Sequence, residues 1–191
     1  MTSFVISDTH FCHEKALEFR PQFGTLEEMN GHILELWNQT VRPGDNVFHL
    51  GDLMLCGGDP VRLRMFDEVM QQLHGTIHLV MGNHDNYSRV EPYVDKISGC
   101  LERKGCILTH MPVHPSQKER YRLNLHGHLH DNVVKRDKQK AAYNMAIGNY
   151  SYMSRETDPW YVNVSCEQLE YQPIDLGWLI PHKVMENANG S

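Results

Sequence analysis

Five apolar segments of this 191-residue chain each run directly into a cluster of polar side chains. Each segment has the length and composition of a buried strand. The segments lie at 3–7, 46–50, 76–81, 105–109 and 121–126. The clusters that follow them are Asp8 with His10, then Asp52, then 83–85, then His110, and finally 126–130. Because ligand sites in open α/β sheets lie beyond the carboxyl ends of strands, a fold that gathers these ends also gathers the clusters.

Helical patterns separate the first three predicted strands. Thr25 and Glu28 form a capping box ahead of apolar residues at helical spacing. A second helix is predicted from Asp59, which a proline follows, to Gly75. After residue 100 the chain reads mostly as strands, with one or two more expected in 160–173. This order favours an α/β fold whose second half is rich in β-structure.

The composition predicts a single globular domain over residues 1–191. Hydrophobic residues make up 40% of the chain, which is enough for one core, and its length suits one domain better than two. The net charge of −6 argues against a protein that binds long nucleic acid, which usually presents a basic face. The strongest basic cluster, at 135–140, is read as a solvated loop.

The cysteines and the N-terminus indicate a cytoplasmic protein without a membrane partner. The five cysteines are odd in number, and no two of them are separated by two residues, as many zinc and redox motifs require. The first ten residues lack the basic start and apolar core of a signal peptide. No apolar run approaches the roughly 20 residues of a membrane span. We therefore expect reduced cysteines and no membrane contact.

The polar clusters combine oxygen and nitrogen donors and contain no thiolate. Asp8 and His10, two residues apart on extended chain, project the same way, and Asp52 adds a carboxylate that can bridge two metal ions. Such a set suits Mn²⁺, Fe or Zn²⁺ better than Ca²⁺ or a structural zinc. Two divalent ions outweigh two aspartates in charge, so the site would attract phosphate and clamp two oxygens across about 3.5–4 Å.

Each cluster alone is a weak signal. Asp8 with His10 is a short pattern, and both "GD" after a strand and "GNHD" also fit turns. The metal prediction depends on all five clusters arriving in order, each at the end of a strand.

The ordered motifs resemble those of the calcineurin-like metallophosphoesterase family, most closely a short stand-alone branch of bacteria and phages. They are "SDTH" (7–10), "LGDL" (50–53), "GNHD" (82–85), "LTH" (108–110) and "GHLH" (127–130). The resemblance spans residues 5–130. It implies an α/β, four-layer metallophosphoesterase fold, in which two mixed β-sheets pack as a sandwich and helices flank them.

The resemblance also implies a dinuclear metal centre. The implied ligands are Asp8, His10 and His130 for the first metal ion, Asn83, His110 and His128 for the second, and Asp52 as the bridge between them. No position of the motif set is missing. The implied cofactors are two divalent ions, with Mn²⁺ preferred and Fe, Zn or Ni as alternatives.

Further residues receive roles beside the metals. The resemblance implies that His84 acts as general acid or stabilises charge on the leaving oxygen, and that Asp85 hydrogen-bonds and orients it. His13 and Arg20 are candidate substrate-binding residues, with a surface histidine and a loop salt bridge as the equally weighted alternatives. His126 is expected to be buried behind the ligands.

The predicted function is hydrolysis of a small, nucleotide-type phosphodiester or phosphomonoester by a metal-bridging hydroxide. The motifs do not choose between the two esters. The segment 131–159 is predicted to form a rim over the site, where Tyr143, Tyr150 and Tyr152 could stack on a base. A polar excursion without substrate contact is the alternative.

Other function classes are less favoured. A nuclease fits the acidic balance poorly, and a protein phosphatase needs more chain for its substrate groove. A non-catalytic scaffold or partner-binding domain of the same fold remains an alternative. The intact ligand set, together with His84 and Asp85, weighs against it.

Overall fold

A computed structural model describes residues 1–136 and 156–189, and within them two β-sheets and their flanking helices. The strands are β1 (Ser3–Ile6), β2 (Asn46–His49), β3 (Thr76–Val80), β4 (Lys96–Ser98), β5 (Leu101–Arg103), β6 (Cys106–Thr109), β7 (Asn124–His126), β8 (Tyr161–Asn163) and β9 (Ile174–Asp175). The α-helices are α1 (Leu26–Thr40), α2 (Pro60–Met70), α3 (Tyr87–Val90) and α4 (Leu176–Asn189). Short 3₁₀ helices lie at Glu14–Glu18, Glu91–Tyr93, Pro115–Glu119 and Cys166–Leu169.

The first sheet has the strand order β4-β3-β2-β1-β9. β1 to β4 pair in parallel, with Phe4 opposite Val47 and Val47 opposite Ile77, and β9 pairs antiparallel with β1. Parallel pairing needs a long crossover connection, which α1 supplies between β1 and β2, and α2 between β2 and β3. The carboxyl ends of β1, β2 and β3 therefore lie side by side.

The second sheet has the order β5-β6-β7-β8. β5 and β6 form an antiparallel hairpin around Lys104 and Gly105, whose φ angles of 52° and 75° match the two-residue turn that suits strand twist. β6, β7 and β8 are parallel. This sheet is mixed, as the first is, and the ends of β6 and β7 also point the same way.

Two apolar cores show how the layers pack. Along β1, Phe4 and Ile6 face the core that α1 and α2 cover, whereas Val5 faces a second core shared with Leu108 and Leu125 of the other sheet. This alternation is the period-two pattern of a strand buried on both faces. The predicted α/β fold, two mixed sheets packed together and flanked by helices, is thus confirmed.

The helix starts agree with the sequence prediction, and one helix end does not. Thr25 caps α1 with a complete capping box, and Asp59 caps α2 by accepting the Val61 N–H. α2 ends at Met70 rather than at Gly75. Gly75 instead adopts a φ of 90° at the entrance to β3, where a Cβ would lie 2.8 Å from a Val41 methyl group.

The C-terminal region differs most from the prediction. Beyond β8 the chain forms a 3₁₀ helix, the short strand β9, and then α4, which the sequence patterns did not predict. Pro181 lies inside α4, and an interior proline ordinarily argues against a helix. The helix is stabilised by burial of Leu176, Leu179 and Ile180 in the core between the sheets.

Two predictions concern parts of the chain that remain outside this description. The single-domain prediction for 1–191 stays a prediction. The rim at 131–159 also stays a prediction, because Tyr143, Tyr150 and Tyr152 lie outside the described residues. Within the ranges 1–136 and 156–189, no helix combines the length and apolar content needed to cross a membrane.

Candidate metal centre

The five predicted strand ends converge at one edge of the two sheets. Two groups of side chains there could each hold a metal ion, and within each group the ligand atoms lie within 4.8 Å of one another. The groups are Asp8, His10 and His130, and Asp52, His110 and His128. The first sheet thus contributes the aspartates and the second sheet contributes most of the histidines, because β1, β2, β6 and β7 all end here.

Asp52 lies between the two groups. Its Oδ2 atom is 3.4 Å from His110 Nε2 and 3.7 Å from His10 Nε2, so one carboxylate reaches both. Asn83 joins the second group, with its Oδ1 atom 2.9 Å from His110 Nε2. The structure therefore brings together all seven residues that the sequence predicts as ligands.

A buried carboxylate oxygen of this cluster lacks the partner that a cation would provide. Asp8 Oδ2 accepts hydrogen bonds from the His128 N–H and the Ser165 hydroxyl, but Asp8 Oδ1 is buried without a partner. His110 Nδ1 donates to the Leu50 carbonyl, and its Nε2 faces two oxygen atoms, Asn83 Oδ1 and Asp52 Oδ2. Buried polar atoms are nearly always satisfied, so this donor set fits divalent cations.

Burial and contacts between the predicted ligands shift their pKa values. Burial alone would lower the pKa of His110, but the hydrogen bond and charge of Asp52 outweigh it and raise that pKa. Burial strongly lowers the pKa of His10, which keeps its imidazole neutral. Burial alone would raise the pKa of Asp52, but the hydrogen bond and charge of His110 outweigh it and hold that pKa below its usual value. Burial raises the pKa of Asp8, which a nearby cation would oppose.

Five of the seven predicted ligands have left-handed backbone conformations. The φ values are 58° for Asp8, 50° for His10, 54° for Asp52, 69° for His128 and 50° for His130. Non-glycine residues adopt this region at a cost and persist there only when surrounding contacts hold them. The concentration of such residues here indicates that the loops are shaped for the position of their side chains.

Two motif glycines are required by the close approach of the aspartates. A Cβ on Gly82 would lie 2.2 Å from Asp52 Oδ1, and a Cβ on Gly127 would lie 2.2 Å from Asp8 Oδ2. No side chain fits at either position. The glycines of "GNHD" and "GHLH" thus let each loop pack directly against a carboxylate from another strand.

The Asp85 carboxylate contacts the backbone of two motif loops. Its Oδ2 accepts the N–H groups of Asp52 and Gly82, both at 2.9 Å, and its Oδ1 accepts the N–H of Leu53 at 2.8 Å. Among the residues that the structure describes, no hydrogen bond joins it to the His84 ring. A half-buried carboxylate that accepts three amides ties two motif loops together, and the orientation of His84 by Asp85 stays a prediction.

His84 stands at the opening of the site. Its backbone N–H donates to Asp52 Oδ1 at 2.9 Å, while its exposed ring lies 5.6 Å from the ring of His10 and 6.1 Å from that of His13, centroid to centroid. Burial, followed by the charge of His84, lowers the pKa of His13 to about 4. Both rings line a cavity of about 470 Å³ beside the first group.

Arg20 lines the same cavity, but it is buried and its nitrogens donate to protein acceptors. Its side chain is 1% exposed, and its guanidinium donates to the carbonyls of Asp8 and Thr9 and to Glu167. His126 is fully buried, as expected, and burial lowers its pKa to about 4. The contact of Arg20 or His13 with a substrate stays a prediction.

Glu167 is the residue that the sequence reading missed. Its Oε1 accepts hydrogen bonds from both Arg20 and His130 Nδ1. Burial raises the pKa of Glu167, but the His130 hydrogen bond and the charge of Arg20 bring it down to about 2. Its segment has a strand-like pattern, and no local spacing connects Glu167 to residues far earlier in the chain.

The comparisons with known proteins agree with this architecture. A family model described as calcineurin-like phosphoesterase matches residues 1–183. An uncharacterized protein of Methanocaldococcus jannaschii is 30% identical over 186 residues, which cover 93% of this chain and 88% of that protein. The crystal structure of a protein of unknown function from Aquifex aeolicus superposes with a TM-score of 0.63 at 27% identity, over 91% of this chain and 95% of that one.

Proposed function

Because this chain belongs to the calcineurin-like phosphoesterase family, we propose that it is a phosphoester hydrolase that uses two divalent metal ions. The observation that carries the proposal is the position of Asp52, whose carboxylate lies within reach of histidines from both candidate groups. Two separate clusters would suit structural ions. A shared carboxylate suits a pair of ions that act on one substrate.

The proposed ligands follow the geometry. Those of the first position are Asp8, His10 and His130, those of the second are Asn83, His110 and His128, and Asp52 is shared. Mn²⁺ is the proposed metal, since the set mixes carboxylate, amide and imidazole donors without a thiolate. When bound, the metal pair would polarise the phosphoryl oxygens and lower the pKa of a water molecule.

His84 is the proposed catalytic residue of the protein itself. Its ring is exposed to the cavity and next to the first position, while its backbone is fixed by the hydrogen bond to Asp52. From there it can donate a proton to the leaving oxygen or stabilise the charge that develops on it. Asp85 supports this arrangement by holding the loop on both sides of His84 to Asp52 and Leu53.

The cavity supports a small substrate that carries an aromatic ring, such as a nucleotide. Its volume of about 470 Å³ suits a small molecule. Beside the histidines, its wall includes Ala16, Leu129 and Phe19, and the Phe19 side chain is 77% exposed at the rim. An exposed aromatic ring next to a phosphate site offers a stacking surface for a base.

The first experiment measures Mn²⁺-dependent hydrolysis of the mono- and bis-p-nitrophenyl esters of phosphate by wild type and His84→Ala. Faster cleavage of the bis-ester, lost in the variant, would assign a phosphodiesterase. Faster cleavage of the mono-ester would assign a phosphatase. Absence of hydrolysis of both esters with Mn²⁺, Fe²⁺, Zn²⁺ and Ni²⁺ would contradict the proposal.

A further inference from the structure

The charged side chain of Arg20 binds the backbone of the loop that carries the first metal position. Its Nη1 donates to the Thr9 carbonyl at 2.9 Å and its Nη2 to the Asp8 carbonyl at 2.6 Å. These carbonyls belong to the stretch in which Asp8 and His10 both have left-handed φ angles. The guanidinium therefore stabilises a backbone shape that the chain would otherwise adopt at a cost.

Glu167 connects Arg20 to a predicted ligand from the other sheet. Its Oε1 accepts from Arg20 Nε at 2.9 Å and Nη2 at 2.7 Å, and from His130 Nδ1 at 3.1 Å. The Arg20 and Glu167 side chains are 1% and 8% exposed. A buried ion pair adds little net stability, so its place directly behind a predicted ligand calls for a second reason.

The carboxylate fixes which nitrogen of His130 is free. Because Glu167 Oε1 can only accept, the hydrogen lies on Nδ1, and the Nε2 lone pair points to the side where Asp8 Oδ1 lies 3.9 Å away. A carboxylate behind an imidazole orients the ring and raises its basicity towards a metal ion.

We propose that Glu167, held in place by Arg20, is a positioning residue that aims His130 Nε2 at the first metal position. This inference rests on the proposed dinuclear function. It assigns Arg20 a place behind the ligands, where its nitrogens are already committed to protein acceptors.

The test uses calorimetric titration of the metal-free, full-length chain with Mn²⁺, together with the electron paramagnetic resonance spectrum of the loaded protein. In Glu167→Ala, we expect one of the two Mn²⁺ affinities to fall roughly 10–100-fold, the range typical for loss of such a partner. The other affinity should stay unchanged. At a limiting Mn²⁺ concentration, the resonance spectrum of the variant should change from that of two coupled ions to that of a single ion.

A conservative variant and a matched control separate positioning from general damage. Glu167→Gln keeps an acceptor oxygen for His130 and should lose less affinity than Glu167→Ala. If the alanine variant does not fold, the glutamine variant carries the test, with a smaller loss at the same position. Asp158→Ala removes a buried carboxylate that pairs with the exposed Lys118 and lines a different pocket, and it should leave both Mn²⁺ affinities unchanged.

The outcomes distinguish this inference from the function on which it rests. Wild type that does not bind two Mn²⁺ ions would overturn both. Wild type that binds two, with Glu167→Ala binding them equally well or losing both affinities to the same extent, would overturn the positioning role alone.

Discussion

The two candidate metal positions are supported in different ways. Around the first position, His130 and the Asp8–His10 loop are held by charged side chains, through Glu167 and Arg20. Around the second, His110 is held by a backbone carbonyl, and Asn83 is exposed and contacts the group through His110. The first position is the more preorganised, so we expect it to bind its ion more tightly than the second does.

The largest expected effect comes from a residue that belongs to neither position. His84→Ala should lower kcat by about 10²–10⁴-fold, the usual contribution of a general acid, because it removes the proposed proton donor to the leaving oxygen. Both Mn²⁺ affinities should remain, since the Asp52 contact is made by the backbone of His84. Steady-state kinetics and Mn²⁺ titration measure the two parts, and full activity in the variant would remove His84 from the mechanism.

Removing a ligand of the second position alone should increase the difference between the two Mn²⁺ affinities. Asn83→Ala deletes an oxygen donor that lies 2.9 Å from His110 Nε2. We expect the weaker Mn²⁺ affinity to fall by at least about 10–100-fold, the loss that even an outer partner causes, while the tighter affinity is kept. Titration of the metal-free variant measures both. Loss of the tighter ion instead would reverse the assignment of the positions.

The stability of the metal-free protein should fall in acid because of histidines buried behind the first position. His49 is fully buried against the Thr9 hydroxyl, and burial lowers its pKa from 6.5 to about 3. The unfolded chain binds a proton at His49 below pH 6.5, whereas the folded chain does not until about pH 3. Stability is therefore lost as pH falls through this window, by up to roughly 1.4 kcal/mol per pH unit for this group.

Urea unfolding at several pH values between 7 and 4 measures that slope. His49→Gln removes one titrating group and should reduce the slope of the unfolding free energy against pH by the contribution of a single proton. Any further loss of stability in the variant should be the same at every pH. An unchanged slope in the variant would show that His49 is protonated in the folded state.

The smallest expected effect concerns the rim of the cavity beside the first position. Phe19→Ala should raise KM about tenfold for substrates with an aromatic leaving group, since stacking of one base contributes about 1–3 kcal/mol. KM for an alkyl phosphate should change little. Trp178→Ala, at an exposed aromatic residue on α4, is the matched control. Equal changes for aryl and alkyl substrates would contradict a stacking role.

The sequence predicted those parts of the site that depend on local order along the chain. Asp8 and Asp52 follow parallel strands, so their meeting at one sheet edge is a consequence of strand direction. Glu167 could not be predicted in this way, because its partner Arg20 is 147 positions away and the contact exists only in the fold. Asp85 was placed at the site, but its acceptance of three amides depends on loop shapes that no motif encodes.

The same distinction applies to the fold. The cap of α1 was predictable because a capping box is a contact between neighbours in sequence. α4 was not, since Pro181 opposes a helix locally and burial of Leu179 and Ile180 against two sheets outweighs it. At α4, burial in the tertiary structure outweighed the local sequence signal against a helix.

The central claim is that Asp52 joins two metal positions into one centre, and metal stoichiometry tests it most directly. Wild type and Asp52→Asn are loaded with Mn²⁺, dialysed side by side and analysed for metal per chain by mass spectrometry. We expect two Mn²⁺ ions per wild-type chain, one for each group, and depletion of both in the variant because the shared carboxylate serves both positions. A wild type that retains one ion or none, or a variant that still retains two, would contradict it.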